Sequence, residues 1–225
     1  MNHHTLTCIA LVLGADLSAR AAVLYSNFGP GDDFSNVGRV VEGPAGGGIG
    51  DVDQAVSFRV GPAPWLVTDA EVGIWVNEPP NVGTGPLDVF VAADAGGVPG
   101  AALQTANLNI NVTGKQIAMA PLGGLILNAN TTYWLVVDGE GTFSGSYLFN
   151  TIGDIGDTAG RTDGFPWNLR EDDDRYSLRL NGRVIPEPSA VASAAVTLFA
   201  AVGFVRFQRR RTSPKVAVTQ GETTR

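Results

Sequence analysis

Between Ala22 and Ile185 apolar residues recur at every second position, and no segment keeps a 3.6-residue apolar period over a useful length. Val56, Phe58 and Val60 alternate with Ser57 and Arg59. Ala70, Val72, Ile74 and Val76 alternate with Glu71, Gly73, Trp75 and Asn77, and Leu87, Val89 and Val91 with Asp88 and Phe90. Tyr176, Leu178 and Leu180 repeat the pattern against Ser177 and Arg179. Successive side chains of an extended strand point to opposite faces, so this spacing gives strands with one face buried. Tyr133–Val137 is apolar throughout and reads as a central strand covered on both faces. Turn-forming clusters separate the runs: Gly43–Gly50, Gly61–Pro64, Pro79–Pro86, Gly96–Gly100, Gly123-Gly124 and Gly139–Gly145. The pattern predicts an all-β domain, an antiparallel β-sandwich or jelly-roll-like fold with Greek-key connections, and leaves strand order open.

The two ends differ from this middle. Leu6–Ala15 is an apolar core ahead of Ala19-Arg20-Ala21, a small-x-small cleavage site, so residues 1–21 read as a secretory signal peptide. At the other end stand Pro186, Glu187 and Pro188, then the uncharged run Ser189–Val205, then Arg206, Arg209, Arg210 and Arg211. The 17 residues of that run would span about 26 Å as a helix, enough to cross a bilayer core, with the arginines stopping it on the cytoplasmic side. The two prolines lack backbone donors and fix φ, which keeps Pro186–Pro188 extended and accessible beside the membrane. Thr212–Arg225 is polar and reads as a disordered cytoplasmic tail. The motif, helix and arginine cluster, in that order over 186–211, resemble the PEP-CTERM sorting signal. The resemblance implies recognition by a membrane-embedded exosortase. It also implies export through the inner membrane to the envelope, surface or extracellular matrix of a Gram-negative-type, exopolysaccharide-producing bacterium.

Removing both ends leaves 22–185, one domain's length. The single cysteine, Cys8, and both histidines, His3 and His4, fall in the leader. The domain therefore has no thiol or imidazole, which excludes Ser-His-Asp and Cys-His catalysis, Cys/His zinc sites and disulfides. It carries 19 Asp and Glu against 8 Lys and Arg, a balance of −11 that disfavours nucleic acid.

Four stretches together resemble the choice-of-anchor R domain. They are Tyr25-Ser26-Asn27-Phe28-Gly29-Pro30-Gly31-Asp32, Ala93-Asp94-Ala95-Gly96-Gly97-Val98-Pro99-Gly100, Leu127-Asn128-Ala129-Asn130-Thr131-Thr132-Tyr133-Trp134-Leu135-Val136 and Tyr176-Ser177-Leu178-Arg179-Leu180-Asn181-Gly182. The resemblance implies a β-rich bacterial surface domain joined to a sorting tail, with no catalytic residue to transfer. Physically, Val98-Pro99-Gly100 suits a tight turn, Asn130-Thr131-Thr132 a turn launching a buried strand, and Asn27, Gly29 and Pro30 a loop leaving the first strand.

Three constellations carry chemistry. Glu171, Asp172, Asp173 and Asp174, with Asp154, Asp157 and Asp163 in a nearby Gly-rich segment, could supply the oxygen ligands of Ca2+, although no EF-hand spacing is present. The competing reading is a solvated loop between Arg170 and Arg175. Trp75, on the polar side of its strand, and Trp167, beside Pro166, are candidates to stack on sugar rings, against core or rim packing. Glu71, Glu78 and Glu140 are available for glycoside hydrolysis, but nothing in the sequence pairs them. Gly46-Gly47-Gly48 reads as a flexible loop rather than a phosphate cradle, because no Lys-Ser/Thr follows it. The expectation is a non-catalytic envelope or matrix protein, glycan-binding or structural in biofilm polysaccharide; the alternative is a carboxylate-dependent hydrolase of that polysaccharide.

Overall fold

The computed structural model describes residues 22–78 and 83–186. The leader 1–21, Glu187 and Pro188, the run Ser189–Val205, the arginines Arg206 to Arg211 and the tail Thr212–Arg225 lie outside the described residues. Among the described residues no helix is long and apolar enough to cross a membrane.

The domain is all-β. Its twelve strands are β1 (Ala22–Ser26), β2 (Gly38–Glu42), β3 (Val52–Arg59), β4 (Trp65–Val76), β5 (Gly85–Asp94), β6 (Pro99–Ile110), β7 (Gly114–Leu127), β8 (Thr132–Gly139), β9 (Ser144–Leu148), β10 (Ile155–Thr162), β11 (Asn168–Asp174) and β12 (Leu178–Val184). All pair antiparallel in one curled sheet, ordered β1-β12-β4-β9-β2-β3-β8-β5-β6, with β7 on β4 and the β10–β11 hairpin on β3. The non-sequential neighbours β12-β4 and β3-β8-β5 could not be read from local pattern.

The alternation expected from sequence holds strand by strand. Val56 and Phe58 of β3, Leu87, Val89 and Val91 of β5, Leu135 and Val137 of β8, and Leu178 and Leu180 of β12 meet in one core. β4 changes phase partway. Trp65 and Val67 face inward, then Ala70, Val72, Ile74 and Val76, because the pairing to β7 slips between Val67 and Asp69. A bulge of this kind bends the strand while keeping both halves of its apolar side on the core. Trp134 and Val136, on the opposite face of β8, join Ala55, Ala92 and Ala159 in a second small core covered by Phe90, Trp167 and Leu169. This is why Tyr133–Val137 is apolar at every position.

Four local expectations are corrected. Gly123-Gly124 is no turn: both residues have φ > 0 inside β7, at 60° and 88°, where β7 bulges against β4. Val98-Pro99-Gly100 does not form the turn either. Gly96 and Gly97 take the left-handed conformation and Pro99 opens β6. The Gly-rich segment and the acidic run, both expected as loops, are the paired strands β10 and β11. Their polar sequences suit an edge hairpin, where charge discourages pairing with another chain. The loop 43–50 is held rather than free. Glu42, 2% exposed, accepts from the Gly48 amide (2.6 Å) and the Ile49 amide (2.7 Å), so its own carboxylate fills the nest an anion would need.

Candidate functional site

β2 meets β3 at a single pair, Glu42 with Val52, and then runs to β9, while β10 follows β3 from Val52 to Val56. The wedge between β2 and the β10–β11 hairpin is a cleft of about 740 Å³. Arg39 of β2, Arg161 of β10 and Arg170 of β11 line it, with Gln54, Asn168 and Phe165. Phe165 is 71% exposed and presents a free ring face.

Each guanidinium is held. Arg39 donates to Asp173 Oδ2 (3.0 Å) and lies over the Phe149 ring, 5.9 Å from its centroid. Arg170 Nη1 donates to Gln54 Oε1 (3.3 Å) and to the Tyr176 hydroxyl (3.4 Å). Gln54 Nε2 donates to the Val40 carbonyl (2.9 Å), tying β2 to β3 behind the cleft. Arg161 pairs with Asp53 and lies over Trp167, 4.8 Å from the ring centroid. Cation–π contact and ion pairing together fix this side chain's direction.

Behind Arg170 stands a stack of aromatic rings. Tyr176 lies 4.5 Å from Tyr147 and 5.3 Å from Phe149, centroid to centroid. The Tyr176 hydroxyl donates to Gln54 Oε1 (2.8 Å), and the Tyr25 hydroxyl donates to Asp154 Oδ2 (2.7 Å). Burial pushes both phenols up to about 12; Asp154 adds to the rise at Tyr25, whereas Arg170 and Arg39 oppose it at Tyr176. An unfolded tyrosine ionises near 10. The stability these two groups contribute is thus fully present below about pH 10 and is lost as pH rises through about 12. Urea midpoints should hold steady up to pH 10 and then fall. Tyrosinate absorbance should appear with unfolding rather than before it, and Tyr176→Phe should make the decline shallower.

A second feature shares Arg161. Strand register places Arg161 (β10), Asp53 (β3), Asp138 (β8), Asp88 (β5) and Asn107 (β6) side by side in one row on the outward face. Asp51, Asp53 and Asp138 bring carboxylate oxygens within 4.8 Å of one another. Like charges directly opposed across strands destabilise a sheet. The ends of the row are relieved by Arg161 on Asp53 and by Asn107 Nδ2 donating to Asp88 Oδ1 (2.6 Å). Asp138, in the middle, makes no ion pair among the described residues. Burial, then the adjacent Asp53 and the charges of Asp51 and Glu140, push the Asp138 carboxyl up to about 8. Asp51 is also raised, by burial and then by Asp53 and Asp163.

The residues singled out from sequence are dispersed. Asp154 bonds Tyr25, Asn27 (3.2 Å) and Arg175, and Asp173 binds Arg39 and Thr158 (3.3 Å), so both carboxylates serve internal contacts. Glu171, Asp172 and Asp174 are exposed on β11, Asp157 is half-buried on β10, and Asp163 sits beside Asp51 and Asp53 at the rim of a smaller pocket. Trp75 packs on Phe28, Phe34 and Leu148, and Trp167 lies under Arg161; neither lines the cleft, whereas Phe165 does. Glu71 is held by Arg179 (2.9 Å) and Asn181 (3.1 Å), and Glu78 and Glu140 follow the ends of β4 and β8. The sequence reading missed the arginine cleft and the Asp51/Asp53/Asp138 cluster. No family model matches the chain, and no curated protein matches it.

Proposed function

We propose that this chain is an exported, non-catalytic, jelly-roll-like β-sandwich that binds anionic polysaccharide in the envelope or extracellular matrix. Its tail is the substrate of an exosortase-type enzyme, which grips Pro186–Pro188. One observation carries the binding reading: three of the domain's eight basic residues converge on one cleft in a domain of net charge −11. Such a convergence works against the overall field and has a use if a carboxylate-bearing sugar docks there. A guanidinium presents a planar fork matched to a carboxylate, and the free Phe165 ring offers an apolar surface to a sugar face.

The test is calorimetric titration of the full-length protein, in EDTA, with a polyuronate and with neutral dextran. Binding to the polyuronate alone is expected, weakening as salt rises. Arg39→Ala and Arg170→Ala should each cost about tenfold or more in affinity, the scale of a charge-assisted hydrogen bond. Equal binding to dextran, or full affinity in both variants, would overturn the reading. For the sorting step, the mature mass and cell fraction should change when the processing enzyme is deleted; an unchanged, membrane-retained chain would count against it.

The alternative is a carboxylate-dependent hydrolase acting through Asp53 and Asp138. These residues are direct cross-strand neighbours with carboxylate oxygens within 4.8 Å, below the ~5–5.5 Å that retaining glycosidases use. They lie on a strand face rather than across a cleft. Release of reducing ends from polyuronate, abolished by Asp138→Asn, would favour this reading instead.

A further inference from the structure

We propose that Asp51, Asp53 and Asp138 bind one divalent cation, Ca2+, on the outward face of the sheet. The first support is the row itself. Strand register, not chance proximity on a loop, holds Asp53 and Asp138 opposite each other, with Asp88 next in line. The second is independent of acidity. The Asp53 side chain is 4% exposed, and while its Oδ2 is held by Arg161, its Oδ1 is enclosed and, the neighbouring Asp138 carboxyl apart, has no hydrogen-bond partner among the described residues. Asp51 Oδ1 is likewise enclosed and without a partner among the described residues. A buried carboxylate oxygen left without a donor is costly, and such oxygens in a fold ask for a proton donor or a cation. Two of them, on residues two apart, converge with Asp138.

Access and field agree. A pocket of about 300 Å³ opens on Asp51, Asp53 and Asp163, bounded by Arg161. Asp88 on β5, Asp163 after β10 and Glu140 after β8 add negative charge from three further directions, against the one guanidinium. The donors are all oxygen, and the exported domain holds no His or Cys, so the chemistry suits a hard cation and not zinc or copper. Ca2+ tolerates irregular, mixed carboxylate and water shells at 2.3–2.6 Å, whereas Mg2+ demands near-octahedral geometry and gives up water reluctantly. Two carboxylates on paired strands and a third just ahead of β3 make an irregular donor set, which favours Ca2+.

The experiment is calorimetric titration of EDTA-stripped full-length protein with CaCl2, and separately with MgCl2, in the absence of any polysaccharide. Its outcome is therefore read apart from that of the cleft. One Ca2+ per chain is expected, with a rise in Tm and weaker binding of Mg2+. Asp51→Asn and Asp138→Asn should each lower Ca2+ affinity by about tenfold or more, because affinity follows the ligand charge count. Asp174→Asn, on the exposed acidic run of β11, should leave it unchanged. Asp138→Asn keeps the size of the side chain and takes a carboxyl out of a crowded acidic row, so its metal-free Tm should stay at or above that of the unaltered protein, which separates lost binding from lost folding. No heat and no Tm shift at millimolar Ca2+, or equal losses in Asp174→Asn and Asp51→Asn, would overturn the site.

Discussion

Replacing Arg161 with Ala should cost the domain about 2–4 kcal/mol, somewhat below the ~3–5 kcal/mol of a fully buried ion pair because the guanidinium is partly in solvent. The burial is lopsided: the Arg161 side chain is 40% exposed, but that of Asp53 is 4% exposed. The loss is therefore not that of a surface salt bridge, whose two charges simply return to water. Asp53 has little access to solvent, and with its guanidinium gone the only side-chain group left beside it among the row's residues would be the carboxyl of Asp138, with Asp88 next in line. Trp167 would also lose the cation lying over its ring. Asp53→Asn is expected to be milder, because it removes a charge from the row and gives Asp138 a neutral neighbour. The pair should be strongly non-additive: Asp53→Asn combined with Arg161→Ala should be more stable than Arg161→Ala alone by ~1 kcal/mol or more. Urea unfolding of the four proteins checks this cycle. A cost below about 1 kcal/mol for Arg161→Ala, or simple additivity, would mean that Asp53 finds relief elsewhere.

Neither half of that pair was visible as a site in the sequence, and the reason is specific. Asp88 could be placed on the polar side of its strand, because Leu87, Val89 and Val91 mark the other side. Nothing local says that Asp88 stands level with Asp138, or Asp138 with Asp53. That is a matter of register between strands far apart in the chain, and a shift of one residue would send each carboxylate to the opposite face. The central strands were legible because their cores are built from long aliphatic and aromatic side chains at period two. β10 and β11 were not. The inward side of β10 is Gly156, Thr158 and Gly160, and β11 carries Glu171 to Asp174, so neither shows a pattern of its own. They become strands because the free edge of β3 accepts them. The arginine cleft followed the same rule: Arg39 and Arg170 lie on β2 and β11, two strands without a legible alternation, and only the divergence of β2 from β10 makes room for the cleft they share. The alternation did show which residues form the core. It could not show which polar residues would meet.

Trp134 links the two levels, and Trp134→Ala should cost about 3–5 kcal/mol and lower Tm by roughly 6–20 °C. The ring is fully buried on the outward side of β8 and fills a core otherwise made of Ala55, Ala92, Val136 and Ala159. Those alanines are too short to close over the cavity, so relaxation can recover little. The indole nitrogen also donates to Asp94 Oδ1 (2.8 Å), whose carboxylate accepts from the Gly97 amide (3.2 Å) in the turn between β5 and β6. Trp134→Phe keeps most of the volume and loses this bond, and should cost about 1–2 kcal/mol. The functional consequence is more telling than the stability. Trp167 and Leu169, which cover this small core, hold the β10–β11 hairpin and with it Arg161 and Arg170. Hydrogen exchange in Trp134→Ala should therefore rise first in β10 and β11 while β4 and β7 stay protected, and polyuronate binding should weaken at temperatures where the main core is still folded. If β4 and β10 lost protection together, the outward core would be part of one cooperative unit, and the cleft would be no more labile than the sheet that carries it.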